Sequence, residues 1–395
     1  MGAPAIPLFD VRLSDAEIEA VAETLRSGWL TMGPRTEEFE DAFAQHLGAR
    51  HAVALASGTA ALHLAYRAAG IGPGDEVIVP GITFVATANA ARYCGATPVL
   101  AEVAAPDHLA LDPEDVERRI TERTKAVCVV HYGGYAGPLP ELQAICERHG
   151  LALIEDAAHS PSASAGPGGP KLGTVGLAGA FSFFSNKVLS CGEGGLLATN
   201  DDEVAALARS LRSHALTSGT WDRHRGHALS YDVVDLGFNY RMDEPRAALL
   251  LARLPGLDED IAARRALVHA YRRALRDLPG LLLPYPDEEV DTSSCYIMPV
   301  LLEDPSLQGP LRELMLERWG VQTSLLYPAI HEFSAYAGTG EGLERCERVA
   351  RTEVTLPLYG QLSERDQKRV IVALTEGLRE LSATRTRPTT QAPSP

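Results

Sequence analysis

Between residues 50 and 200, short apolar runs alternate with stretches that have amphipathic helical spacing. The runs are rich in Val, Leu, Ile and Ala, which is typical of strands buried on both faces of a parallel sheet. They are AVALAS (52–57), DEVIVP (75–80), TPVLAEV (97–103), TKAVCVVH (124–131), LALIED (151–156), GAFSFFS (179–185) and GLLATN (195–200). The pattern predicts an α/β fold with one mostly parallel sheet of about seven strands and helices on both sides.

Helical patterns also precede and follow this region. SDAEIEAVAETLRSGW reads as a helix with a capping box, in which Ser14 caps the first turn, Glu17 reaches back three residues later, and Gly28 ends the helix. A second helix is expected in PRTEEFEDAFAQHLG, and further ones in DDEVAALARSLRSH and EPRAALLLARL. The segment between the last two is polar and irregular, and loops of that length in a compact enzyme are usually functional or lie between subunits.

Pro255 and Gly256 interrupt the helical pattern and suggest a domain junction. We therefore expect an N-terminal segment and large domain over 1–254 and a smaller C-terminal α/β domain over 255–382, with a strand near SCYIMPVLL and a final helix in SERDQKRVIVALTEGLREL. The Pro- and Thr-rich residues 383–395 have no core-forming content and are predicted to be disordered.

Composition narrows the possible partners. The chain has 395 residues, is 45% hydrophobic and carries a formal charge of -16, so its surface repels nucleic acid and anionic membranes. Its six cysteines are scattered without the spacing of a zinc site, so no metal is predicted and reduced thiols are expected. No signal peptide and no long apolar span is recognisable, and we expect a cytoplasmic protein.

One lysine stands out because lysine is rare here. Of 36 basic residues only four are lysine, and one of them, Lys187, follows an aromatic strand in FSFFSNKVLSCGEGG. An amine near an apolar strand end is partly desolvated, which lowers its pKa and favours a nucleophile. The alternative is a solvated loop lysine, and spacing alone favours that alternative.

Other strand ends carry groups that bind ligands, since ligands of open α/β sheets lie at the carboxyl ends of the strands. Gly58 and Thr59 follow a strand and open a helix, where backbone N–H groups suit a phosphate, although a plain tight turn fits too. Asp156 ends an apolar strand, where it needs a cationic partner or serves as a helix cap, while Glu155 points to the opposite side and suits a structural role. Phe84 at a strand end is placed to stack on a flat ring or simply to pack.

Together these groups are the set that pyridoxal 5'-phosphate requires: a phosphate cradle, a stacking ring, a carboxylate for the pyridinium and an amine for the aldehyde. The order and sequences of the motifs that contain them resemble those of the DegT/DnrJ/StrS-type sugar aminotransferases, which are fold-type I enzymes dependent on pyridoxal phosphate. The resemblance runs through GWLTMGPRTEEFE, SGTAAL, PGITFVATANA, IEDAAHS, FSFFSNKVLSCGEGG, LGFNYRMDEPRAAL and LPLYGQLSERD, which is nearly the whole chain. It implies the fold-type I architecture, with a large domain containing a seven-stranded sheet and a smaller C-terminal domain.

The resemblance also assigns roles to individual residues. Lys187 matches the lysine that forms the Schiff base with the cofactor, and Asp156 matches the aspartate that keeps the pyridine nitrogen protonated. Gly58, Thr59 and Ser182 match the residues that bind the cofactor phosphate.

Three further positions complete the implied site. Phe84 matches the ring that stacks on the cofactor, and His159 stands where many members have a glutamine near the cofactor's ring hydroxyl. Asn239 matches an asparagine that reaches the phosphate of the neighbouring subunit, which implies a homodimer with shared active sites. The loop 215–235 is then expected to border both the interface and the sugar.

The implied reaction is transfer of an amino group from glutamate or glutamine to a nucleotide-linked keto sugar, in amino-sugar or secondary-metabolite biosynthesis. His159 together with the run His131, Tyr132 and Gly133 is similar to the subgroup that aminates C4 of 4-keto-6-deoxy sugars. C3-keto sugars and scyllo-inosose remain alternative acceptors, and a regulatory protein that binds the cofactor without turnover remains an alternative function. Lys187 argues against the dehydratase branch of the family, which has histidine there.

Two segments depart from the family pattern. The insert 162–174 is rich in Gly and Pro, and the region of Tyr327 and His331 follows the family only loosely. A nicotinamide-dependent oxidoreductase, the third possibility for such a strand and helix rhythm, lacks its G-x-G-x-x-G motif after the first strand.

Overall fold

The computed structural model describes residues 5–105, 107–217 and 230–385, and a seven-stranded sheet forms its centre. Its strands lie in the order β1, β9, β8, β7, β6, β2, β3, and only β9 runs antiparallel to its neighbours. The predicted mostly parallel sheet is therefore confirmed. The strands are β1 His51–Leu55, β2 Glu76–Pro80, β3 Thr97–Ala101, β6 Thr124–Val130, β7 Ala152–Asp156, β8 Ala178–Ser182 and β9 Gly195–Thr199, and a hairpin of β4 Val103–Ala105 and β5 His108–Leu111 follows β3.

Twelve helices have bounds among the described residues. In chain order they are α1 Asp15–Ser27, α2 Pro34–Leu47, α3 Gly58–Ala68, α4 Ala86–Tyr93, α5 Pro113–Arg119, α6 Leu139–His149, α7 Asp202–Leu211, α8 Glu244–Arg253, α9 Leu257–Leu275, α10 Gln308–Trp319, α11 Glu344–Thr352 and α12 Glu364–Arg385. None of them is long and apolar enough to cross a membrane. The hairpin β4–β5 and α5 were not expected from the sequence, because their apolar runs are too short to show a period.

Helices cover both faces of the large sheet, because successive side chains of a strand point to opposite sides. On β6, Val127 and Val129 pack in one apolar cluster with Leu142 of α6, whereas Cys128 belongs to a second, larger cluster that contains Leu62 of α3. Both clusters are fully enclosed. The central strands are thus buried on both faces, as their continuous apolar sequences predict.

The predicted caps of α1 are present. The hydroxyl of Ser14 accepts a hydrogen bond from the Glu17 N–H, the Glu17 carboxylate accepts one from the Ser14 N–H at 2.7 Å, and Gly28 takes the left-handed conformation with φ 75°. Glu244 of α8 caps α2 from afar, since its buried carboxylate accepts N–H groups of Gly33 and Thr36 at 2.8 and 2.9 Å. These contacts tie the N-terminal helices to the large sheet's outer layer.

A second sheet lies in the C-terminal part of the chain. It is antiparallel, in the order β10 Leu281–Leu282, β11 Met298–Leu302 and β12 Glu353–Leu356, and β11 is the strand expected in SCYIMPVLL. Near the N-terminus, Ile6 pairs with Val321, so this segment lies against the C-terminal part rather than the large sheet. The division at residues 254 and 255 stays a prediction, and a single 3₁₀ turn, Leu254–Gly256, joins α8 to α9 there.

The chain's C-terminal boundary differs from the expectation. α12 continues to Arg385, three residues into the segment 383–395 that was predicted to be disordered. The reason is that no helix breaker occurs before Pro388, and Leu378 still packs in the core. Residues 386–395 and the stretch 218–229 of the predicted interface loop lie outside the described residues.

Candidate active site

The predicted ligand-binding groups follow strands that share one edge of the large sheet. β1, β2, β7 and β8 run in the same direction, so Gly58, Phe84, Asp156 and Lys187 all come after the carboxyl ends of their strands. This edge is where open α/β sheets bind ligands. The structure therefore brings the four sequence-predicted elements to one side of the sheet.

Glu155 and Asp156 separate at the end of β7 because adjacent strand residues face opposite sides. The Glu155 carboxylate is fully buried on the side of Leu153 and accepts N–H groups of Gly173, Val175 and Gly176 at 2.7 to 2.8 Å. Burial alone would raise the pKa of Glu155, but these donors and the imidazole of His131 at 2.9 Å outweigh it and lower the pKa. Glu155 has the structural role that its position in the sequence suggested, and it anchors the end of the Gly-rich insert.

Asp156 faces the other side and is also buried. Its carboxylate accepts hydrogen bonds from the Thr87 hydroxyl at 2.8 Å and from the Ala158 N–H at 3.2 Å. Burial raises the pKa of Asp156, and the two hydrogen bonds and the charge of Lys187 act against that shift. A buried carboxylate that accepts from two neutral donors among the described residues is suited to a cationic partner, such as a protonated pyridine nitrogen.

Lys187 lies in a loop that doubles back on itself after β8. Backbone bonds from Phe183 to Gly194 at 2.9 Å and from Lys187 to Phe184 at 2.8 Å close this loop, so the GEGG turn shapes it as the sequence suggested. The ammonium nitrogen lies 4.4 Å from the ring centroid of Tyr296. Desolvation lowers the pKa of Lys187 to about 7, against the raising effect of Asp156, so a large fraction of the amine is neutral near neutral pH.

The start of α3 forms a cradle beside Ser182. The side chain of Ser57 caps the helix by accepting the Ala60 N–H at 3.1 Å, which leaves the turn at Gly58 and Thr59 facing the end of β8. A Cβ at Gly58 would lie 2.9 Å from the Cβ of Ser182, so only glycine allows this approach. A helix N-terminus with two hydroxyl side chains beside it fits a phosphate group.

Phe84 is 55% exposed although it follows a buried strand. Its ring contacts Tyr327 with a centroid distance of 5.8 Å at a tilt of 46°. This exposure favours a stacking surface over the alternative of a simple core residue, since a packed aromatic ring would be enclosed.

His159 sits in an aromatic cluster next to Lys187. Its buried ring stacks on Tyr296 at a centroid distance of 4.3 Å, and its two nitrogens contact the Gly133 N–H and the Tyr327 hydroxyl. The sequence pointed to Tyr327 only as part of an atypical segment, and it missed Tyr296 and Thr87. Thr87 has a local signal, since it lies three residues after Phe84 on the same helix entry, whereas Tyr296 has none.

Three other residues that were singled out in the sequence have surroundings different from those of Lys187 and Asp156. His131 is fully buried and is held by Glu155 and by the N–H of Gly137, so its side chain serves the sheet edge rather than a substrate. His331 pairs with Glu347 of α11 at 3.1 Å. Asn239 is exposed, and its backbone forms a β-bridge with Ser213. The next residue, Tyr240, lies near the start of α3, because its carbonyl accepts a hydrogen bond from the Ala56 N–H.

Comparison with known proteins gives the family. The model of the DegT/DnrJ/EryC1/StrS aminotransferase family matches residues 11–375. The spore coat polysaccharide biosynthesis protein SpsC of Bacillus subtilis is 37% identical over 367 residues, which cover 91% of this chain and 93% of SpsC.

Solved structures agree in fold over the same length. S. venezuelae DesV, solved in complex with a ketimine intermediate, superimposes with a TM-score of 0.85 at 37% identity and covers 95% of this chain and 98% of DesV. Spr1654 of Streptococcus pneumoniae, in its PLP form, has a TM-score of 0.87 at 25% identity with 95% and 99% coverage, and a PMP form matches as well. These similarities confirm the predicted fold-type I architecture and enzyme class, and the chain belongs to the DegT/DnrJ/EryC1/StrS aminotransferase family.

Proposed function

We propose that this protein transfers an amino group from glutamate or glutamine to a nucleotide-linked keto sugar, with pyridoxal 5'-phosphate as its cofactor. The observation that carries the proposal is that Lys187, whose amine has a pKa of about 7, lies at the same sheet edge as the buried carboxylate of Asp156, whose charge opposes the effect of desolvation on that pKa. A neutral lysine and a cation-seeking carboxylate are what the cofactor's aldehyde and ring nitrogen require.

The residues present fit the cofactor. Gly58 and Ser182 form a cradle that a side chain at Gly58 would fill, and Phe84 offers an open ring face. The PLP and PMP forms of Spr1654 are two states in which a transaminase cofactor carries the aldehyde and the amine, and they support pyridoxal phosphate here. When bound, this cofactor supplies an electron sink for the substrate carbanion.

Lys187 has two tasks in such a reaction. Its neutral amine is the nucleophile toward the cofactor aldehyde, and burial lowers its pKa enough to keep that form populated. With an amino donor bound, the same Nζ would take up and return a proton, because its pKa lies near neutral pH.

Asp156 controls charge at the ring nitrogen. A carboxylate that Thr87 and Ala158 hold in place favours the protonated nitrogen by direct ion pairing in a dry site. Its position on the side of the sheet opposite Glu155 keeps it free for this partner, since Glu155 takes the N–H groups of the insert.

A relative and a sequence resemblance support a sugar as the acceptor. SpsC is named for polysaccharide biosynthesis, which agrees with a sugar acceptor. The resemblance to the C4-aminating subgroup includes His131, whose side chain is held by Glu155 and by the Gly137 N–H. We retain the C4-keto sugar as the proposed acceptor, with C3-keto sugars and scyllo-inosose as the alternatives that the first experiment separates.

A homodimer with shared sites is part of the proposal. Asn239 is exposed, and it follows a stretch of exposed apolar side chains that a second copy would cover, namely Tyr231, Val233, Val234 and Leu236. Several exposed apolar side chains close together in the chain favour a protein interface. A cytoplasmic location stays a prediction.

The first experiment follows the two half-reactions separately. Purified protein loaded with pyridoxal phosphate should convert to the pyridoxamine form with glutamate or glutamine, and only the true acceptor from a panel of C4-keto, C3-keto and inosose compounds should restore the visible absorbance. Lys187→Ala should slow both steps by about 10²–10⁴-fold or more, because it removes the proton-transfer group.

The exposed lysine variant Lys368→Ala is the matched control and should keep the wild-type rates. Cofactor binding without any amino transfer would favour the regulatory alternative instead. If scyllo-inosose is the only compound that restores the visible absorbance, the acceptor is a cyclitol and not a sugar nucleotide.

A second prediction concerns pH. In cofactor-free protein, the rate at which Lys187 captures pyridoxal phosphate should rise with pH through about 7 and then level off, because only the neutral amine attacks the aldehyde. Asp156→Asn removes the charge that raises the pKa of Lys187, so the midpoint should move to lower pH. A wild-type midpoint near the ordinary lysine value of 10.5, or an upward shift in Asp156→Asn, would contradict this account of the site.

The third prediction tests the shared site. Co-expression of Lys187→Ala and Asn239→Ala chains should produce mixed dimers in which one of the two sites is intact, and random pairing gives roughly a quarter of wild-type activity. Each variant alone should be much less active than this mixture. If the specific activity of the mixture is only the mean of the two variants' activities, Asn239 does not serve the partner's site.

A further inference from the structure

The hydrogen on the His159 ring can be located from its neighbours. The backbone N–H of Gly133 lies 3.2 Å from Nδ1 and can only donate, so Nδ1 carries no hydrogen. Desolvation, with smaller contributions from Lys187 and His131, lowers the pKa of His159 well below its usual value, so the ring is neutral. Its single hydrogen is therefore on Nε2, which lies 3.0 Å from the hydroxyl of Tyr327.

This tautomer fixes the direction of the next hydrogen bond. Nε2–H donates to the Tyr327 oxygen, and the phenol hydrogen must then point to another acceptor. Within residues 5–105, 107–217 and 230–385 no side chain or carbonyl accepts it. Burial raises the pKa of Tyr327 well above its usual value, so the hydroxyl keeps that hydrogen at all physiological pH values.

The two rings are held rigidly in this arrangement. The planes of His159 and Tyr327 are nearly parallel, differing by only 10°, with centroids 6.0 Å apart. Tyr132 stands perpendicular to both of them, at 78° and 83°. Its hydroxyl donates to the fully buried carboxylate of Glu353 at 2.5 Å, and the Thr355 hydroxyl donates to the same carboxylate at 2.7 Å.

Tyr327 also borders the space where the cofactor is proposed to lie. Its ring contacts the exposed ring of Phe84, and its phenol is close enough to Asp156 for the carboxylate charge to contribute to its raised pKa. On the other side of the cluster, Tyr296 stacks on His159 and faces the ammonium of Lys187. The unused phenol hydrogen is thus at the wall of the site and not in the core.

We propose that Tyr327 donates its hydroxyl hydrogen to an acceptor oxygen of the ligand in this site, with His159 as the positioning residue that fixes its direction. The oxygen belongs either to the ring of bound pyridoxal phosphate or to the carbonyl of the keto acceptor. This inference rests on the proposed function. It changes the role expected for His159, whose only N–H is directed to Tyr327 rather than to the cofactor.

Tyr327→Phe tests the proposal, with Tyr271→Phe as the matched control. The control also removes one buried tyrosine hydroxyl, which donates to the Pro357 carbonyl at 3.0 Å away from the site. Two readouts are needed: the pH dependence of the absorbance of the bound cofactor without substrate, and kcat and KM for the keto acceptor. Denaturant unfolding of both variants checks that they remain folded.

The two sources of the oxygen give different results. A donor to the cofactor's ring oxygen stabilises its deprotonated form, so Tyr327→Phe should move the absorbance transition upward by about one pH unit or more. A donor to the acceptor's carbonyl should leave that transition unchanged and lower kcat/KM for the keto acceptor about 10- to 100-fold. His159→Phe should change the same readout in the same direction by a smaller amount, since the hydroxyl then lacks its fixed orientation.

An unchanged absorbance transition together with unchanged kcat/KM in Tyr327→Phe would overturn the proposal. Equal changes in Tyr271→Phe would also overturn it, since they would reflect a general loss of packing. Wild-type protein separates this failure from failure of the proposed function. If the wild type binds the cofactor and transfers the amino group while Tyr327→Phe behaves identically, only the role of Tyr327 is wrong.

Discussion

At the end of β7, two adjacent carboxylates face opposite sides of the large sheet and take separate roles. Glu155 is fully buried and takes three backbone N–H groups and one imidazole, so it holds the strand end and the Gly-rich insert together. Without it, the buried N–H of Gly173 and the buried ring of His131 would lose their partner, which costs more than a typical hydrogen bond contributes. Because Glu155 meets these needs on one side of the sheet, Asp156 on the other side remains available for a ligand.

Desolvation then gives the remaining groups their chemistry. The same dry edge raises the pKa of Asp156 and lowers the pKa of Lys187, and the attraction between their charges opposes both shifts. As a result, the Lys187 amine titrates near neutral pH, and the buried Asp156 carboxylate at the same edge needs a cationic partner. A polar site open to water would have produced neither property. The aromatic cluster of Tyr296, His159 and Tyr327 keeps water from one wall of this site and fixes the hydrogen-bond direction there.

The sequence predicted most of the large sheet because its strands are apolar on both faces and are separated by helices with clear caps. It also placed Lys187 and Asp156 correctly at strand ends, since strand direction alone brings those ends together. Contacts made by the C-terminal part of the chain could not be predicted from the sequence, because strand direction does not determine them. Tyr296 and Tyr327 meet His159 only through tertiary packing. His131, which resembled the C4-aminating subgroup in sequence, has buried partners, Glu155 and Gly137, that its position in the chain does not reveal.

We propose that Lys187 is the amine that binds the cofactor aldehyde. Borohydride reduction of the loaded protein, followed by proteolysis and mass spectrometry of the modified peptide, measures this directly. We expect one pyridoxyl group per chain, on the peptide that contains Lys187. Modification of Lys171 instead, or a loaded protein that borohydride leaves unmodified, would contradict it.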